Sequence, residues 1–179
     1  LWADKNNDFW REVATTSRAF LKKAAHPLTG LYPDYANFDG TPRVAPWGGT
    51  QNHFQYDAWR VAMNIAVDYI WFAREEWSVT QSNRLLQFFF NQGIGKYGSL
   101  FTLEGQQLKP DHSAGLVAMN AVAALAATDP IRTAFVEELW NTPIPSGFYR
   151  YYDGLLYLLG YLQLSGNFRI YDPTVRIPK

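Results

Sequence analysis

The sequence predicts an all-α fold: half of an (α/α)6 barrel, built from three outer–inner helical hairpins that together fill residues 1–179. Three observations carry this. Six segments repeat apolar residues at helical spacing. The second, fourth and sixth of them are apolar on nearly every face, whereas the first, third and fifth keep a polar face; a helix apolar all round is a buried one. Connectors also alternate, long ones leading into the second and fourth segments and short ones following them. The inner helices then run parallel, with the long loops gathered at their N-terminal ends, the face on which sites are carried. A free-standing helical array is the alternative, disfavoured because the hairpins show no internal repeat.

Each element follows from local patterning. The first helix is expected over 6–25, where Phe9, Val13, Ser17, Phe20 and Ala24 share a face and Lys22 and Lys23 suit the last turn. HPLTG ends it, with His26 reading as a cap. The second is expected over 56–74. The third spans 79–91, with Thr80 as cap and Leu85, Leu86, Phe89 and Phe90 as the apolar face. HSAGLVAMNAVAALAA, 112–127, makes the fourth. The fifth covers 130–140, with Pro130 in its first turn. The sixth covers 148–164. The stretch 97–108 suggests a small hairpin.

Composition excludes several functions. Sixteen basic and sixteen acidic residues give zero formal charge, and no basic run exists, so a nucleic-acid footprint is not indicated. With no cysteine there is no disulfide, thiolate metal site or cysteine nucleophile. No 18-residue uncharged apolar run suggests a membrane span. The start, LWADKNNDFW, is not a signal peptide and lacks an initiator Met, which suggests a processed or internal start. A soluble protein is expected, its compartment, cytoplasmic or periplasmic or secreted, left open. The three histidines lack metal-ligand spacing, and no phosphate loop or GxSxG is present, so neither metal nor cofactor is expected. The 7 Trp, 11 Tyr and 12 Phe exceed what a core needs and suggest stacking surfaces, as in sugar-binding grooves.

The second helix carries the chemistry. At 100° per residue, Asp57, Arg60, Asn64 and Asp68 fall within an arc of roughly 80° on an otherwise apolar cylinder. Such a stripe suits an inner helix facing a wet lumen. First-turn N–H groups favour an ionised Asp57, and Arg60 one turn on can hold it anionic. That arrangement fits a general base; it also fits an ordinary structural pair at a helix start. Asn64 and Asp68 read as contacts to neighbouring helices. His53, Tyr56 and His112 lie on the same face as candidate substrate contacts. So do Tyr35, in a loop with Tyr32, Phe38 and Trp47, and Tyr149 and Tyr152 at the start of the sixth helix. Packing within the loops is the competing reading for each.

The stretches WREVATTSRAFLKKAAHPLTGLYPDYANFDGTP, HFQYDAWRVAMNIAVD, HSAGLVAMNAVAALAA, LWNTP and RYYDGLLYLLGYLQLSGNFRI resemble the C-terminal half of glycoside hydrolase family 8. Its xylan-acting members, above all the reducing-end xylose-releasing exo-oligoxylanases, are the most similar. The resemblance implies an (α/α)6 barrel with an open cleft and inverting hydrolysis of β-1,4 bonds. FQYDAWRVAMNI matches a family block like FSDSYRVAANIG, which puts the catalytic base on Asp57 and its arginine neighbour on Arg60.

The family's general acid is a glutamate in a block like RTEGMSYGM, which this sequence lacks. Glu12, Glu75, Glu76, Glu104, Glu137 and Glu138 stand in other contexts. The resemblance therefore implies a partner, the N-terminal half as a separate or cleaved chain, and an isolated 179-residue piece that is inactive and poorly soluble. The exo-acting members share a Leu-His-Pro block; here Asp111-His112-Ser113 keeps the histidine and changes both neighbours. Release of xylose from the reducing end of xylo-oligosaccharides is the leading expectation. Endo-β-1,4-xylanase action on xylan and a non-catalytic carbohydrate-binding half-barrel are the alternatives.

Overall fold

The computed structural model describes residues 7–72 and 74–169. Its elements are α1 (Asn7–Ala24), a 3₁₀ turn (Tyr56–Ala58), α2 (Trp59–Trp71), α3 (Glu76–Gln92), β1 (Leu100–Phe101), β2 (Gln107–Lys109), α4 (Ala114–Ala123), α5 (Arg132–Asn141) and α6 (Arg150–Leu164). The six expected helices are present, alternately outer and inner. Among the described residues no helix is long and apolar enough to cross a membrane.

α4 is the centre of the fold. Every residue from Gly115 to Ala123 is buried, as an all-round apolar helix requires. It packs between inner helices α2 and α6 and against outer helices α3 and α5. Small residues allow the closest approach. A Cβ on Gly160 of α6 would stand 3.0 Å from Ala118 Cβ, and one on Gly115 would stand 2.8 Å from Asp153 Oδ1. The N-termini of α2, α4 and α6 meet. Tyr152 Oη donates to Tyr56 O at 2.7 Å, and Ser113 Oγ donates to Asp153 Oδ1 at 2.9 Å. At the opposite end Val67, Trp71, Leu125 and Gln163 line one shallow pocket. The inner helices are therefore parallel, and their N-terminal ends form one face.

Several boundaries shift for local reasons. α3 begins at Glu76, not near 79, so Thr80 lies inside the helix and caps nothing; Glu75, in extended conformation, precedes the first turn. α4 begins after Ser113, whose Oγ accepts from the backbone N–H of Gly115 and Leu116. Past Ala123 the chain tightens, with Leu125 N–H donating to Val122 O and Ala126 N–H to Ala123 O. The expected hairpin forms as β1 and β2, antiparallel with an irregular register. Phe54 adds a third edge, exchanging both backbone bonds with Phe101 at 2.9 and 3.1 Å.

Among the described residues, α1 is joined to the rest through its C-terminal half. Among its residues Ala24 alone is buried, while Phe9, Trp10 and Val13 are exposed. Arg18 forms a bidentate pair with Asp68 of α2 at 2.6 and 2.7 Å, and Lys22 pairs with Glu75 at 2.7 Å. The polar stripe of α2 is thus divided. Asp68 serves this helix–helix contact, Asn64 is exposed, and only Asp57 and Arg60 belong to the N-terminal face.

Candidate active site

The N-terminal face holds a pocket of about 270 Å³ lined by Tyr56, Trp59, Lys109, Asp111, His112, Ser113, Tyr149, Tyr152 and Asp153. Tyr56, Trp59 and Tyr152 form its aromatic side, with ring centroids 5.5 Å apart for the first pair and 6.0 Å for the second. Such faces stack on the apolar faces of sugar rings, and their hydroxyls supply directional bonds. Lys109 Nζ donates to Tyr56 Oη at 3.2 Å, and this bond raises the pKa of the lysine. Burial pushes the Tyr152 hydroxyl up to about 12, against the opposing charge of Arg60; it stays protonated and acts as a donor.

Asp57 stands beside this pocket, outside its lining. Its Oδ1 lies 2.6 Å from Arg60 Nη2, one turn on. The two side chains are 50% and 43% exposed respectively, so the pair is open to water and ligand. Arg60 engages one carboxylate oxygen, which leaves the other to accept a proton.

The turn beneath Asp57 is shaped from a distance. Tyr56 has φ +22°, a region non-glycine residues seldom enter. Asp34 Oδ1 accepts from the backbone N–H of Asp57 at 2.9 Å and of Ala58 at 3.3 Å. With those donors turned toward Asp34, the element starts as a 3₁₀ turn and not as the α-helix expected from residue 56. Burial raises the pKa of Asp34; the bond from Gln55 acts against that, and the nearby charge of Asp57 adds to it.

His112 reaches this face but is occupied. Its Nδ1 lies 2.8 Å from Tyr97 O and its Nε2 lies 3.0 Å from Glu138 Oε1. A carbonyl and a carboxylate both need donors, so the arrangement is satisfied by imidazolium. Burial alone would lower the His112 pKa; the bonds to Glu138 and Tyr97 outweigh it and raise it. Both oxygens of Glu138 are engaged, accepting also from Gly95 N–H at 2.7 Å and from Tyr97 Oη at 2.6 Å. A larger groove of about 720 Å³ lies beyond His112 and Asp153, which line both cavities.

Of the residues singled out by sequence, the structure gathers Tyr56, His112, Tyr149 and Tyr152 around the pocket, with Asp57 and Arg60 beside it. Tyr35 and His53 are not part of the lining. Their backbones hold the loop before α2, Tyr35 N–H donating to Gln51 O and His53 O accepting from Asp34 N–H. His26 Nδ1 lies 3.0 Å from Thr29 Oγ1 and closes the turn after α1. Sequence reasoning missed Lys109, Asp111 and Asp153 as lining residues, and Asp34 and Glu138 as organisers. The partners of Lys109, Asp153, Asp34 and Glu138 lie far away in sequence, so no local spacing could reveal them.

A model of glycosyl hydrolases family 8 matches residues 2–166. The chain belongs to glycosyl hydrolase family 8. Over 170 residues it is 46% identical to the reducing-end xylose-releasing exo-oligoxylanase Rex8A of Paenibacillus barcinonensis, covering 94% of this chain and 44% of that protein. A reducing end xylose-releasing exo-oligoxylanase of Halalkalibacterium halodurans is 44% identical over 177 residues, covering 97% of this chain and 45% of the relative. The crystal structure of a family 8 xylanase from Teredinibacter turnerae, a catalytic mutant in complex with xylohexaose, superposes with a TM-score of 0.88 at 45% identity. It covers 93% of this chain and 42% of that one. The chain thus spans a little under half the length of these family 8 proteins.

Proposed function

We propose that the chain supplies the base-bearing side of an inverting β-1,4-xylosidase site, one that releases xylose from the reducing end of xylo-oligosaccharides. The observation that carries this is the half-exposed Asp57 carboxylate, paired with Arg60 at 2.6 Å beside a pocket walled by Tyr56, Trp59 and Tyr152. Inversion needs one carboxylate to deprotonate water and a second, protonated carboxyl about 6.5–9.5 Å away to protonate the leaving oxygen. Asp57 takes the first role. Arg60, 2.6 Å from one carboxylate oxygen, fixes its rotamer, and the other oxygen receives the water proton as the water oxygen bonds to C1 and the C1–O bond breaks.

No glutamate lines the pocket among the described residues. The proton donor in this reading is a glutamate from the family's remaining length, which completes the barrel. Exposed apolar side chains on inner helix α6, Leu155 and Leu158, fit a surface that this remaining length would cover. Similarity to two reducing-end xylose-releasing enzymes supports the exo reading. An endo-acting site is the second reading. It is favoured by equal similarity to a xylanase bound to xylohexaose and by Asp111 and Ser113 flanking His112.

The test uses the complete assembly with xylotriose and its borohydride-reduced form. Free xylose from the native trimer, with little cleavage of the reduced one, is the expected result. Cleavage of both at similar rates, with internal cuts in polymeric xylan, would select the endo reading. Strong hydrolysis by the 179-residue chain alone would refute the need for a second half.

A further inference from the structure

The turn that presents Asp57 is built around a second carboxylate. Both oxygens of Asp34 are consumed. Oδ1 takes the backbone N–H groups of Asp57 and Ala58, and Oδ2 accepts from Gln55 Nε2 at 3.1 Å. Gln55 is buried, and its other amide atom is fixed as well, Oε1 accepting from Thr50 Oγ1 at 3.0 Å. The chain Thr50–Gln55–Asp34 therefore has one hydrogen-bonding direction and ends on the backbone of the reacting residue. Between its attachment points lies Tyr56, held at φ +22°. A strained residue persists only where its surroundings over-determine it. Here Asp34 holds one side of the strained peptide, the Phe54–Phe101 bridge precedes it, and Tyr152 Oη holds its carbonyl. Asp34 does not line the pocket, so its influence on chemistry passes through Asp57.

We infer that Asp34 is a positioning residue for the base, setting the aim of Asp57 through the Thr50–Gln55–Asp34 chain and the strained turn it anchors. This rests on Asp57 being the base. Alignment of reacting groups affects turnover steeply, and a displacement near 1 Å costs on the order of 10²-fold.

The experiment is a set of variants in the complete enzyme, assayed on xylotriose for kcat and KM separately. Asp34→Asn sets an amide N–H₂ against Gln55 Nε2, which either leaves two donors facing each other or turns the Gln55 amide over and reverses its bond with Thr50. It is expected to lower kcat about 10- to 100-fold with KM changed less than about threefold. Asp34→Asn combined with Gln55→Glu reverses the pair, restoring an acceptor opposite the new donor while Thr50 still donates. It should return kcat to within about fivefold of the parent. In an Asp57→Asn background, Asp34→Asn should cost nothing further, because two residues acting through one group are not additive.

Unchanged kcat in Asp34→Asn while Asp57→Asn is inactive would overturn the inference. So would a loss that the swapped pair does not recover, or one that persists undiminished in the Asp57→Asn background. An Asp34→Asn enzyme that no longer unfolds cooperatively would assign the residue to the scaffold and overturn it equally. Normal turnover by Asp57→Asn would instead remove the base reading, whatever Asp34→Asn does.

Discussion

Two carboxylates on the same face of this half-barrel meet opposite fates. Asp57 touches one arginine and stays half exposed. Glu138 is 7% exposed and accepts from His112, Tyr97 and Gly95. Both are acidic residues beside a cavity, and both have a cationic partner within 3.0 Å. The difference is spare capacity. A buried carboxylate with both oxygens engaged by the fold serves structure, whereas one with an open oxygen can take a proton from water.

The comparison is most sharply tested by removing each carboxylate. Asp57→Asn in the complete assembly is expected to lower turnover roughly 10²–10⁴-fold while leaving the urea midpoint of unfolding unchanged. Near-normal turnover would sink the base assignment. Glu138→Ala should do the reverse. It strands His112 and the Tyr97 hydroxyl, and is expected to destabilise the fold by about 3 kcal/mol, read from urea unfolding, with turnover lowered far less than in Asp57→Asn. A Glu138 variant as inactive as Asp57→Asn, yet fully stable, would erase the distinction.

A smaller effect is expected at Tyr152. Its hydroxyl ties α6 to the carbonyl of the strained Tyr56. Tyr152→Phe should cost about 1 kcal/mol of stability and a few-fold in kcat. No change in either would show that the turn is held without it.

The smallest effect is in pH. The folded-state pKa of His112 is raised above the usual imidazole value of 6.5. Its contribution to stability is therefore complete below that value and is lost as pH rises through the folded-state pKa. Urea midpoints measured from pH 5 to 9 should decline across that window, and His112→Gln should flatten this part of the curve. A decline of the same size in the His112→Gln protein would place its origin elsewhere.

The helices were legible because each carries its own period, and the inner–outer alternation because burial writes itself into composition. Asp57–Arg60 was legible for the same reason, since three positions along the chain are a local relation. Asp34 and Glu138 were not. Asp34 reaches a backbone 23 positions away and Glu138 a ring 26 positions away, and a tertiary hydrogen bond leaves no spacing to read. The early start of α3 escaped because Glu75 and Glu76 look like a polar linker. Their surroundings include Lys22 of α1, which pairs with Glu75 and lies 5.6 Å from the Trp77 ring.

The sparse seam of α1 gives this chain an uneven energy landscape. A long helix gains most of its stability from an apolar face set against a neighbour, and the N-terminal half of α1 has none here. Its C-terminal half sets Phe20, Leu21 and Ala24 against the core and adds the Arg18–Asp68 and Lys22–Glu75 pairs, whose partly exposed charges are screened by salt. Amide protons of α1 should therefore exchange through a local opening much shallower than global unfolding, and adding salt should deepen the contrast with α4. The expected outcome is an α1 whose N-terminal turns fray first, while α4, buried along Gly115–Ala123, holds until the whole core unfolds.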